Sequence, residues 1–193
     1  MRRKKGLCFY KKRRRMSIET SREIVNYILG ILIAAALAFS LVFCFGIRVR
    51  VIGVSMEETL WSGQTIFINQ IAYLLFPPRR NDVVVFMPNG NANTHYYIKR
   101  VVGVPGDTVE FIDGKLYVNG EMEADSRFDK VADPGIAAEP VTLGSDEYFM
   151  LGDNRNNSED SRSGNIGLVQ RKQILGKAWL HLGGGHSGIG LVD

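Results

Sequence analysis

No cysteine follows Cys44, and the chain's other cysteine, Cys8, lies near the N-terminus. Residues 48–193 therefore form no disulfide, hold no Cys-ligated zinc and use no thiol nucleophile. Histidine is scarce too: His95, His181 and His186 are the three in the chain, and they lack metal-ligand spacing. No metal or other cofactor is expected. A third absence is charge. The 24 residues 24–47 contain no Asp, Glu, Lys, Arg or His. At about 1.5 Å per residue, a helix of that length covers a hydrocarbon core of about 30 Å with some tilt. Ala36-Leu37-Ala38 has the look of a leader cleavage motif, but the apolar run continues for nine more residues, to Ile47. A cleaved leader has an apolar region of roughly 7–15 residues. Both faces are apolar, which argues against a buried amphipathic helix. A retained transmembrane anchor over 23–47 is the expectation.

The net charge of +4 conceals two opposite halves. Residues 1–47 hold ten basic side chains against two acids, a net +8, and residues 48–193 hold fourteen against eighteen, a net −4. A mildly acidic body gives no electrostatic footprint for nucleic acid. The basic tail, residues 1–22, reads equally as a disordered solvated segment or as one lying on anionic lipid. It should stay cytoplasmic and send the C-terminal body to the outer side of the cell membrane.

After the anchor the texture changes to short apolar runs with turn punctuation. Strands are expected at 48–52, 65–69, 82–87, 95–104, 108–112, 115–118, 147–151 and 173–181, with no helical pattern between them. Asp113-Gly114 at a two-residue turn between alternating segments is a strong hairpin signal. The fold class expected is mainly β: a single N-terminal transmembrane helix followed by an antiparallel β-rich domain over 48–182. Tyr73-Leu74-Leu75-Phe76-Pro77-Pro78-Arg79-Arg80 has two readings, core plus turn or a loop dipping into a lipid interface. Residues 183–193 begin with Gly183-Gly184-Gly185-His186-Ser187-Gly188, which matches a bare dinucleotide-binding glycine pattern without the strand, turn and helix it needs. They read as a flexible tail.

Two stretches carry candidate chemistry. Gly53-Val54-Ser55-Met56 places a serine in a turn of small residues after the anchor, and Lys99 lies among Tyr96, Tyr97, Ile98, Val101 and Val102. A serine hydroxyl needs a base, and a lysine serves as one when burial makes it neutral. By local pattern alone the plainer reading is an ordinary surface lysine on a half-buried strand. Gly152-Asp153-Asn154-Arg155-Asn156-Asn157-Ser158-Glu159-Asp160-Ser161-Arg162 resembles a calcium loop only superficially, since Arg155 and Ser158 occupy positions that need a ligand and a glycine. The acids and the two arginines of this stretch can instead build an ion-pair network there.

The anchor, Ser55-Met56-Glu57-Glu58-Thr59-Leu60, Asp82-Val83-Val84-Val85-Phe86, Lys99-Arg100-Val101-Val102-Gly103-Val104-Pro105-Gly106-Asp107 and Gly152 to Arg162 resemble, in order, the boxes of bacterial type I signal peptidase. The match runs from about residue 22 to about residue 180. The resemblance implies a membrane-bound serine endopeptidase that removes signal peptides from exported preproteins after small residues of the Ala-x-Ala type. Ser55 would be its nucleophile and Lys99 its general base. It further implies that Ser158 orients the lysine by a hydrogen bond, that Asp153 with Arg100 and Asp160 with Arg162 brace the site, and that Gly53 and Met56 line the substrate pocket. The Ser55 N–H would donate to the oxyanion. The partners implied are preproteins and the lipid bilayer, with no nucleic acid.

One departure stands out: the family usually has proline where this chain has Glu58. Its carboxylate is expected to raise the lysine's pKa, and Glu58→Pro to move the acidic limb of the rate–pH profile to lower pH. A non-catalytic or specialised relative that assists assembly of exported surface proteins is the competing reading. It would have no need of Ser55 and Lys99 together.

Overall fold

The computed structural model describes residues 18–45, 47–88, 95–123, 130–183 and 188–192. The expectations for most of the basic tail and for His186 lie outside the described residues. The chain divides into two compact units, Met1–Leu41 and Val42–Asp193.

In the first unit α1 (Ile18–Phe45) begins, with Glu19 in its first turn, where a carboxylate favours the positive end of the helix dipole. Its window Glu19–Ser40 has a mean hydropathy of 1.9, long and apolar enough to cross a membrane. Ile24, Val25, Tyr27, Ile28, Leu29 and Ile31 are all exposed, so the apolar surface runs round the helix instead of forming one stripe. The helix starts before residue 23 and stops two residues short of Ile47, which begins a strand. Charge marks where lipid must end, whereas backbone hydrogen bonding marks where a helix ends, so the two limits differ.

Among its described residues the second unit contains two antiparallel sheets. The strands are β1 (Ile47–Arg50), β2 (Thr65–Asn69), β3 (Val83–Phe86), β4 (Tyr97–Gly103), β5 (Thr108–Ile112), β6 (Lys115–Val118), β7 (Glu121–Met122), β8 (Val141–Thr142), β9 (Glu147–Leu151), β10 (Val169–Gln170), β11 (Ile174–Leu182) and β12 (Ile189–Leu191). The larger sheet runs β1-β2-β11-β3-β4-β9-β10, with β12 on β11, and the smaller runs β7-β6-β5-β8. A short helix, α2 (Ala72–Leu75), joins β2 to β3. The eight expected strands all form, with ends shifted by up to two residues. Asp113 and Gly114 both take positive φ, 51° and 76°, as a type I′ hairpin turn requires.

β4 is the strand that matters most. From Ile98 to Gly103 every residue is buried, because separate apolar clusters cover its two faces. Ile98 packs with Val51, Met56, Leu60 and Ile66, whereas Val101 packs with Val84, Phe86, Tyr148 and Met150. A strand covered on both sides cannot point Lys99 into water.

The supposed flexible tail needs correcting over 188–192. Leu180 pairs with Leu191 and His181 with Gly190, and Val192 is buried. A Cβ at Gly190 would lie 2.5 Å from His181 Nε2, so this glycine permits close strand approach. His181 is accordingly a packed core residue beside Gln64.

Candidate active site

Ser55 sits in a turn stapled into the core from both ends. Leu60 N–H donates to Met56 O at 2.7 Å and Glu57 N–H to Val54 O at 3.1 Å, while Met56 and Leu60 bury their side chains in the cluster beside β4. The turn is also held from outside: the Asn154 N–H donates to Ser55 O at 3.1 Å and Asn154 Nδ2 to Val54 O at 3.2 Å. Gly152 makes this approach possible. A Cβ there would lie 2.2 Å from Ser158 Oγ and 2.5 Å from Ser55 O.

Lys99 Nζ lies 2.6 Å from Ser55 Oγ. The residue is 3% exposed. Burial pushes its ammonium down to about 8, against opposing pulls from Asp160, Asp153 and Glu159 that favour the charged form. Desolvation wins. An amine that is neutral in an appreciable fraction near neutral pH, within hydrogen-bond reach of a serine hydroxyl, can accept the hydroxyl proton.

Two buried ion pairs lie among the residues singled out beside the dyad. Arg100 donates to both carboxylate oxygens of Asp153 at 2.8 Å, and these side chains are 2% and 1% exposed. Thr59 Oγ1 donates to Asp153 Oδ2 at 2.6 Å, tying the Ser55 turn to the pair. Arg162 donates to both oxygens of Asp160 at 2.8 Å, and Asp160 Oδ2 also accepts the Gly152 N–H at 3.1 Å. Asp160 thereby fixes the glycine against which Ser55 O and Ser158 pack.

Two expectations change. Ser158 Oγ is buried but makes no hydrogen bond with any described residue, so the bond to Lys99 is not formed. Nζ is taken up by Ser55 Oγ, and the Ser158 side chain is pressed against Gly152. Glu58 is exposed and is not among the carboxylates that raise Lys99, which are Asp160, Asp153 and Glu159. Its backbone has φ +83°, a left-handed conformation closed to proline. Glu58→Pro therefore breaks the turn and tests nothing about charge. Glu58→Gly is expected to raise stability by about 1 kcal/mol by relieving that backbone, and Glu58→Pro to lower both stability and activity; thermal unfolding and a cleavage assay check this.

A cleft of about 630 Å³ opens in front of Ser55 and Lys99, lined by Arg48 to Met56 on one side and His95 to Ile98 with Asn157 and Glu159 on the other. Gly53 and Met56 are both among its lining residues. Asn154 and Thr59 were not singled out by sequence reasoning. Their only signal was membership of the two motifs, because the contacts they make cross about a hundred residues.

The family model for signal peptidase, peptidase S26, matches residues 24–182. The chain is 35% identical over 162 residues to "Signal peptidase I P" of Bacillus subtilis subsp. natto, covering 79% of this chain and 85% of that protein. It is 34% identical over 178 residues to "Signal peptidase I S" of Bacillus subtilis strain 168, covering 83% and 89%. It is 41% identical over 130 residues to "Probable signal peptidase I-2" of Synechocystis, covering 65% and 58%.

Proposed function

The chain belongs to the signal peptidase family, peptidase S26, and on that premise we propose that it is a membrane-anchored serine endopeptidase that cuts signal peptides from exported preproteins. The observation that carries this reading is the 2.6 Å contact between a buried, desolvated Lys99 and Ser55. Neutral Lys99 accepts the Ser55 proton as Oγ attacks the carbonyl at the end of the signal peptide. The Ser55 N–H stabilises the oxyanion, and the Lys99 ammonium then protonates the leaving amine. Water, deprotonated by the neutral lysine, releases the signal peptide and restores the hydroxyl.

The cleft supports an extended substrate. Among the described residues β1 pairs with β2 alone, which leaves its other edge for an added strand beside the lining residues Arg48 and Arg50. Gly53 and Met56 border the space beside the nucleophile, which suits small side chains before the cut. The net +8 of residues 1–47 supports an orientation with the N-terminus in the cytoplasm and the catalytic domain outside.

The pH dependence follows from the sign of the Lys99 shift. With the base active only when neutral, log kcat/KM rises with pH below about 8 and levels above it. Glu159→Gln removes a charge that raises Lys99, so the limb moves to lower pH; Glu58→Gln leaves it in place. Rate–pH profiles on a peptide with Ala-x-Ala before the cut check all three. A limb near pH 6 in the wild type, or one that moves with Glu58 and not with Glu159, contradicts the assignment.

A further inference from the structure

We propose that α2 and the turn after it form a second contact with the bilayer, in which Leu74, Leu75 and Phe76 enter the boundary between headgroups and acyl chains while Arg79 and Lys172 meet anionic lipid phosphates. The proposal rests on the membrane-anchored reading and adds to it a specific lipid-facing element of the catalytic domain.

Scattered exposed apolar side chains are ordinary, but a contiguous group is not. Leu74, Leu75 and Phe76 are 77%, 71% and 59% exposed, three large apolar residues in succession. Nor is this a loop that has failed to pack. Tyr73, the residue before them, is buried, and its hydroxyl donates to Asp82 Oδ2 at 2.9 Å. The Arg79 N–H, just past the tip, donates to the same oxygen at 2.9 Å, and Lys177 Nζ donates to Asp82 Oδ1 at 2.6 Å. Asn69 Oδ1 accepts the Ala72 N–H at 3.0 Å, and Arg171 donates to the Tyr73 carbonyl while its guanidinium stacks 5.4 Å from the Tyr73 ring. One buried carboxylate and one arginine thus fix both ends of the turn and hold its apolar tip outward.

The strand register identifies the occupant as lipid. β1 is the first strand after the charge-free apolar segment, and its first residue, Ile47, pairs with Ile68 of β2. Ala72, where α2 starts, lies four residues beyond Ile68. The domain's entry point and the tip therefore lie at the same end of one strand pair, and a chain anchored in a bilayer meets that surface at high effective concentration. Charge agrees. Arg79, three residues past Phe76, and Lys172, the neighbour of the Arg171 that holds Tyr73, are both exposed, and Asp82, the carboxylate beneath the tip, is already satisfied by three donors. Apolar residues rimmed by cations are the chemistry of an anionic membrane surface.

The test uses the full chain with Cys8→Ser and Cys44→Ser, reconstituted in vesicles of phosphatidylethanolamine and phosphatidylglycerol. A nitroxide is attached through Leu75→Cys or, as a control in the smaller sheet, through Ile112→Cys. The Leu75 position is expected to relax with dissolved oxygen more than with a water-soluble nickel chelate, and the control the reverse; replacing phosphatidylglycerol with phosphatidylcholine should make the Leu75 label shallower. A Leu75 label as open to nickel as the control overturns the proposal, and one shielded from both reagents points to a protein partner and overturns it too. The triple variant Leu74→Ser, Leu75→Ser, Phe76→Ser is expected to raise KM roughly tenfold for a vesicle-embedded preprotein while leaving cleavage of a short peptide in detergent unchanged. Equal loss on both substrates rejects a lipid role. If the wild type cleaves neither substrate, the peptidase reading fails, while the label depth still decides the lipid contact.

Discussion

Lys99→Met is expected to lower kcat/KM by about 10⁵–10⁶-fold, the scale seen when a serine hydrolase loses its nucleophile or base, and at the same time to stabilise the fold. The two effects have one cause. An ammonium that is 3% exposed suits catalysis because it gives up its proton easily, and it gives up its proton easily because burying the charge is unfavourable. The unfolded chain holds the lysine proton up to about 10.5, and the folded chain only up to about 8. As pH falls from 10.5 towards 8 the unfolded state takes up a proton that the folded state does not, so stability is lost across that window and stays low below it. Removing the amine should recover a stabilisation on the order of 3 kcal/mol at pH 7, shrinking towards zero above pH 10. Chemical denaturation of the detergent-solubilised protein at several pH values measures this. A Lys99→Met variant less stable than wild type at pH 7 would contradict the buried-base account even if activity were lost.

Asp153→Ala should have the opposite signature: activity and stability fall together. It leaves the Arg100 guanidinium buried without its bidentate acceptor and deprives Thr59 Oγ1 of its partner 2.6 Å away. Breaking a buried pair in this way costs about 3–5 kcal/mol. Because Thr59 belongs to the Ser55 turn, the nucleophile loses its support as well. The double variant Arg100→Met, Asp153→Leu separates the effects: it should recover most of the lost stability and little of the lost activity. Recovery of both would mean that the pair supports the fold without positioning Ser55.

The strands that could be read from sequence are those with enough residues to show a pattern. β5 alternates polar and apolar residues from Thr108 to Phe111, β2 and β6 are short runs rich in β-formers, and Asp113-Gly114 names its own turn. β7, β8 and β10 are two residues long, too short to carry any period. β12 was hidden because the glycine run before it read as flexibility, whereas Gly190 within it is the space that His181 requires. At the site, Ser55 and Lys99 became specific through ordered motifs rather than through local chemistry. Whether Lys99 was buried depended on both faces of β4 being covered, and those covers come from residues as distant as Val51 and Ile174. Glu58 misled for the reverse reason: nearness in sequence suggested nearness in charge, but a positive φ and an exposed side chain set it apart.

Cleavage of a preprotein carrying Ala-x-Ala before its junction, by the full-length protein in detergent, compared between wild type and Ser55→Ala, tests the central claim most directly. The account predicts a single cut after that site in the wild type and, in the variant, a rate lower by about 10⁵-fold or more. A Ser55→Ala protein that cuts the same bond at the wild-type rate would contradict it.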